Sequence, residues 1–205
     1  MDKAVLLSVT KTQSYQYYAY TINKKCECFH MYQNQELFNG LCETGCPNYN
    51  KKWSCPPFSP SFSKFTQKYK YIKVVLLTIR IDQFDNIKNN YLKIKAANSI
   101  LKSRVDKVLR SFISDDIYYI STGSCRLCKP CKCKNGLPCA HPNLKTYSFE
   151  ALGINVSDLT ADSFGVKLQW YSKNNLPEYT SVVAALISTH ELDSVDIIGE
   201  LRKLN

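Results

Sequence analysis

Residues 71–81, YIKVVLLTIRI, hold the longest apolar run in the chain. Arg80 breaks the run, which is less than half the length a membrane helix needs, so it reads as a buried strand. Beyond it, apolar residues recur at Ile87, Tyr91, Ile94, Leu101, Val105, Val108 and Phe112. That spacing predicts an amphipathic helix from Ile87 to Phe112. DIYYIST (116–122) then returns to strand. Strand, helix and strand in that order predict a right-handed crossover into a neighbouring parallel strand. The expected fold class is α/β: a single domain over residues 1–205, with a mixed, partly parallel sheet and helices packed on it.

The rest of the chain is read outward from that unit. Residues 4–22 are rich in β-branched and aromatic side chains and predict one or two strands. Residues 24–61, KKCECFHMYQNQELFNGLCETGCPNYNKKWSCPPFSPS, lose all periodicity and read as a loop organised by something other than packing. Ser59 followed by Pro60 resembles a helix start, predicting a short helix to about Lys70. On the far side, SFEALG (148–153) predicts a short helix capped by Ser148 and stopped by Gly153, and NVSDLTADSFG another turn or two. VKLQWYS (166–172) and EYTSVVAALIS (178–188) read as strands. ELDSVDIIGELRKLN (191–205) reads as a closing helix with Leu192, Val195, Ile198 and Leu201 on one side.

Composition narrows the function. The start, MDKAVLLSVTKTQ, lacks the basic flank, apolar run and cleavage site of a secretory signal, so a soluble, cytoplasmic protein is expected. In that compartment ten cysteines are kept reduced, and close-set thiolates there are more often metal ligands or catalytic groups than disulfides. The net charge of +10 raises nucleic acid as a partner. Two iron-sulfur clusters would cut it to about +6, an ordinary excess, so nucleic acid is not expected. With seven glycines, no phosphate-binding loop, scattered His30, His141 and His190 and no nucleophile elbow, neither nucleotide binding nor a hydrolase triad is indicated.

The chemistry lies in two cysteine-rich loops, about 24–58 and 123–143. In the second, GSCRLCKPCKCKNGLPCAHP (123–142), Cys125, Cys128 and Cys131 follow C-x2-C-x2-C, with Cys139 as a distant fourth. A chain that tight turns its thiolates toward one centre, as in a cubic iron-sulfur site. Structural zinc more commonly uses two separated knuckles, so it is the weaker alternative. Cys133 reads as a free, solvent-facing thiol, and His141 as a loop residue. In the first loop, CETGCPNYNKKWSCPP (42–57) spaces Cys42, Cys46 and Cys55 as C-x3-C-x8-C. Three cysteines leave one cluster corner to Cys26, Cys28 or a ligand from outside the chain. A filled corner suits an electron carrier, whereas an open iron suits an enzyme acting on a small molecule.

These two stretches resemble the predicted metal-binding protein family, whose members pair C-x3-C-P-x-Y…W-S-C-P-P with G-x-C-x-x-C-x-x-C…P-C-x-H-P…S-x-E-A-x-G-I-x-V. The resemblance implies that Cys42, Cys46, Cys55, Cys125, Cys128, Cys131 and Cys139 bind metal, as iron-sulfur clusters in anaerobes. Family members carry glycine where this chain has Asn50 and cysteine where it has Leu152. Cys26, Cys28 and Cys133 are additions.

The function expected is an iron-sulfur protein with two four-iron four-sulfur clusters, serving electron transfer or another redox role in anaerobic metabolism. The alternatives are an enzyme with an open iron at Cys42, Cys46 and Cys55, removing or transferring sulfur or oxygen, and a zinc-binding interaction module. Glu150 reads as a first-turn helix acid, with a proton-moving role beside a cluster as the sharper option. Lys88, Lys95 and Lys102, with Arg104, Lys107 and Arg110 nearby, read as a solvated face or as a dock for an acidic flavodoxin-like or ferredoxin-like partner.

Overall fold

A computed structural model describes residues 1–10, 13–173 and 175–204; Lys11 and Thr12, in the predicted strand region, and Asn205, at the end of the predicted closing helix, lie outside them. Five strands form one sheet: β1 (Asp2–Val9), β2 (Ser14–Lys25), β3 (Tyr71–Arg80), β4 (Ile117–Ile120) and β5 (Tyr179–Ser188). Their order is β1-β2-β3-β5-β4, and every neighbouring pair is antiparallel.

The expected parallel pairing therefore does not form. β3 and β4 each run antiparallel to β5, so they point the same way, but β5 occupies the place between them. The helix that follows β3 carries the chain over β5, a split crossover. Burial fits the insertion. β5 is buried on both faces from Ala184 to Ser188, the stretch beside β4, whereas β4, at four residues, suits an edge.

Alternation along β3 sends Val75, Leu77 and Ile79 to one face, and Ile72, Val74 and Leu76 to the other. All six are at most 1% exposed, so each contributes roughly 1.5–3 kcal/mol of burial. The first face is covered by α3 (Asn90–Arg110), through Ala97, Leu101, Val105 and Val108, and by α5 (Ile197–Arg202). α3 starts at Asn89, whose side chain accepts the Leu92 N–H at 3.0 Å. The second face carries Phe29, Phe62, Phe149, Leu152 and Leu159. These come from a 3-10 turn (Cys26–Tyr32), α2 (Phe62–Phe65), the 3-10 turn Glu150–Leu152 and α4 (Val156–Phe164).

Several local expectations change. The stretch read as pure loop contains that first 3-10 turn and α1 (Gln35–Gly45). No residue of α1 is buried, so no core-facing period marks it in the sequence. The short helix is capped by Ser61 rather than Ser59 and ends at Phe65. VKLQWYS forms no regular strand, and the closing helix begins only at Ile197, with Leu192 and Val195 in the turn before it. That turn is anchored by Lys73, buried on β3, whose ammonium donates to the carbonyls of Leu192 (3.1 Å) and Val195 (2.7 Å). Ser148 and Gly153 act as expected. The Ser148 hydroxyl accepts the Ala151 N–H at 3.2 Å, and Gly153 adopts φ +82° against Gln35, where a Cβ would clash.

Tyr17 on β2 is fully buried, and its hydroxyl has no partner among the described residues. Burial pushes its phenol up to about 12 against the opposing pull of the Arg104 charge. Between about pH 10 and that value the unfolded chain ionises first, so the folded state loses stability as pH rises through this window. Tyr17→Phe should match or exceed the parent by up to about 1 kcal/mol in urea denaturation at neutral pH. The margin should widen at about pH 11.

Candidate metal centre

The first cysteine loop is set by the end of α1. Cys42 lies in its last turn, and the Cys46 N–H donates to the Cys42 carbonyl at 3.0 Å. The chain then reverses at Asn50, where φ is +52° and the N–H donates to the Pro56 carbonyl at 2.9 Å. Asparagine tolerates this left-handed conformation, and it stands where the resemblance expects glycine. The reversal brings Cys55 back toward Cys42 and Cys46. Burial pushes the Cys42 thiol up, followed by the charges of Cys46 and Glu150. Burial raises Cys55 to about 11; the Ser54 hydroxyl and Lys52 pull it down, and Cys46 and Cys42 push it up. The three sulfurs thus share one electrostatic neighbourhood, with Glu150 at its border.

The second loop leaves the sheet at the end of β4. Gly123 turns it with φ +87°, and the Ser121 hydroxyl donates to the Gly123 carbonyl at 3.1 Å. Cys125, Cys128, Cys131 and Cys139 then line a single recess, walled also by Trp53 and His141. Cys128 is pushed up by burial and then by the charges of Cys131, Cys125 and Cys139, with Lys132 opposing. The recess encloses about 20 Å3, roughly one water-sized occupant. Among the described residues, no three His, Cys, Asp or Glu side chains are disposed to hold a metal ion as they stand.

Residues 52–54 join the two loops. The Lys52 ammonium donates to the Ser124 hydroxyl (2.9 Å) and the Cys125 carbonyl (3.1 Å), and the Trp53 indole N–H donates to the Leu137 carbonyl (2.9 Å). The Ser54 hydroxyl accepts the Cys125 N–H at 3.1 Å. Trp53 also packs against Phe58, with ring centroids 4.7 Å apart and the planes tilted by 58°, so it both bridges and packs. The sequence does not anticipate the roles of Lys52 and Ser54; the K-W-S-C segment reads as a ligand cysteine beside an apolar tryptophan wall. Ser54→Ala should cost about 0.5–1.5 kcal/mol in denaturation and speed exchange of the Cys125 amide, since its acceptor is gone.

The additional cysteines are placed apart. Cys26 packs in the second core beside Phe29 and Phe62, its thiol pushed up to about 12 by burial and then by Cys28. Cys28 is exposed, at a separate surface cavity. Cys133, expected to face solvent, is buried at 8% exposure, because it sits inside the 3-10 turn Lys132–Asn135. All ten cysteines are free thiols. Lys102 leaves the predicted basic stripe, being half-buried, and Lys88 precedes α3. Arg104 is drawn inward to the Ser8 hydroxyl (2.8 Å), and Arg110 pairs with Asp106 (2.9 Å).

A family model described as "Predicted metal-binding protein (DUF2284)" matches residues 29–187, a span that holds Cys42, Cys46 and Cys55, the whole second cysteine loop and nearly all of β3 to β5, but not Cys26 or Cys28. The chain belongs to this predicted metal-binding protein family. Among the curated proteins and the solved structures compared, none matches the chain. Membership supports metal binding as the shared property. The family position expected to hold cysteine is Leu152 here, fully buried in the second core, so this chain uses it for packing. No helix among the described residues is long and apolar enough to cross a membrane.

Proposed function

We propose that this chain is an iron-sulfur protein that holds two four-iron four-sulfur clusters and serves a redox role in the cytoplasm of an anaerobe. The observation that supports the reading is that Cys125, Cys128, Cys131 and Cys139 all line one recess. Donor chemistry fits: four soft thiolates suit an iron-sulfur cluster as well as structural zinc, and the tight C-x2-C-x2-C spacing with one distant cysteine favours the cluster. Cys42, Cys46 and Cys55 would hold the second cluster. Bound clusters supply one-electron transfer, and a cluster held by three thiolates leaves one iron able to take a small molecule.

A second reading, an enzyme with an open corner at the first loop, is favoured by one observation. Cys26 is in the core and Cys28 at another surface, while Glu150 borders Cys42. Replacing Cys26 and Cys28 together by serine should therefore leave the paramagnetic resonance spectrum of the reduced protein unchanged. Loss of one of two cluster signals would instead show that they complete the site, and would return the carrier reading. An acidic redox partner would dock by charge at exposed positions such as Lys88 and Lys95, with a rate that falls steeply with salt.

A further inference from the structure

β4 stops at Ile120 and pairs only with residues 185–188 of β5, so the outer edge of β5 from Tyr179 to Ala184 has no strand partner among the described residues. A cavity of about 420 Å3 lies against that edge, a size typical of small-molecule sites. Its walls come from both faces of the sheet, with Lys102 of α3 on one side and Glu150 on the other. No cysteine lines it.

Three features of this cavity point to a ligand. Tyr91, Trp170 and Tyr171 form an aromatic wall, with Tyr91 and Tyr171 ring centroids 6.0 Å apart, although Trp170 is 67% exposed. The hydroxyls of Thr122 and Ser181, both wall residues, are buried without a hydrogen-bond partner among the described residues. Such groups are rare in folded proteins, where buried polar atoms are normally satisfied. Lys102 and Glu150 line the same space, and the ion pairs found among the described residues lie elsewhere. Burial lowers the pKa of the Lys102 ammonium, the Arg126 charge lowers it further and the Glu150 charge opposes both.

We infer that this cavity binds a small flat molecule with an anionic group at one end and an N–H or O–H donor at the other. The anion meets Lys102, the donor meets Glu150, the ring lies on Trp170 and Tyr171, and the Thr122 and Ser181 hydroxyls gain partners. The inference goes beyond the metal reading and does not depend on which metal the loops hold. It does place the ligand beside both loops. Gly123 is two residues before Cys125, and Glu150 is the acid whose charge reaches Cys42.

The test is calorimetric titration of the full chain with para-aminobenzoate, para-aminobenzamide and cyclohexanecarboxylate, with metal content measured on the same sample. The flat acid should bind, and the uncharged amide and the non-planar acid should each bind at least about tenfold more weakly. Lys102→Met should weaken para-aminobenzoate by about tenfold or more, and Lys102→Arg by less. Trp170→Ala, a change at an exposed position, should weaken it without altering the circular dichroism or metal content. No heat at millimolar para-aminobenzoate, equal affinity for all three probes, or a Lys102→Met chain that binds like the parent would overturn the inference. Loss of metal with binding retained would count against the cluster proposal and leave this one standing.

Discussion

Cys128→Ser is expected to remove about half of the bound iron, from about eight to about four per chain, while the sheet keeps its circular dichroism. The first part follows from Cys128's place among four thiols that line one recess and act on one another electrostatically. Serine places a hard oxygen donor where a site of four soft thiolates is expected, which weakens retention of that cluster. The second part follows from where the core is. Neither hydrophobic core includes any of the seven cysteines assigned to clusters; Cys26 is the cysteine that packs there. The loop itself has almost no buried residue besides Cys133, so its order depends on what it binds. Limited proteolysis of the variant should cut within residues 123–143 and spare the sheet. Full iron retention, or global unfolding, would contradict the assignment.

Phe62→Ala should lower stability by about 3–5 kcal/mol in urea denaturation, the cost typical of deleting a fully buried aromatic ring. Phe62 is fully buried, with ring centroids 6.1 Å from Phe29 and 6.5 Å from Phe149. It sits in a four-residue helix, too short to hold itself, so packing alone fixes the segment. That segment also anchors the start of α1's approach, because the Ser63 N–H donates to the Gln33 side chain at 2.8 Å. Loosening it should weaken metal retention at Cys42, Cys46 and Cys55 more than at the second loop. Phe58→Ala, at 39% exposure, is the control and should cost under about 1.5 kcal/mol.

Much of the scaffold was legible because its signals are local. β3 is a run buried on both faces, and α3 repeats apolar residues at helical spacing, so both were found within a few residues. Strand order was not legible. Whether β4 pairs with β3 or waits for a strand more than fifty residues later depends on a contact no local pattern records. α1 was missed because it buries nothing, and Cys133 because a 3-10 turn inside the loop folds its thiol inward. At the candidate centre, thiol spacing points to Cys125, Cys128, Cys131 and Cys139 as one set, and all four line one recess. The cavity beside it drew on residues scattered from Tyr91 to Val183, which only the folded chain brings together.

The central claim is that the two cysteine loops hold iron-sulfur clusters. Its most direct test is quantification of iron, acid-labile sulfide and zinc in the full chain purified without oxygen. The account predicts about eight irons and about eight sulfides per chain with negligible zinc. About two zincs per chain with no sulfide, or a colourless folded protein that takes up no iron, would contradict it.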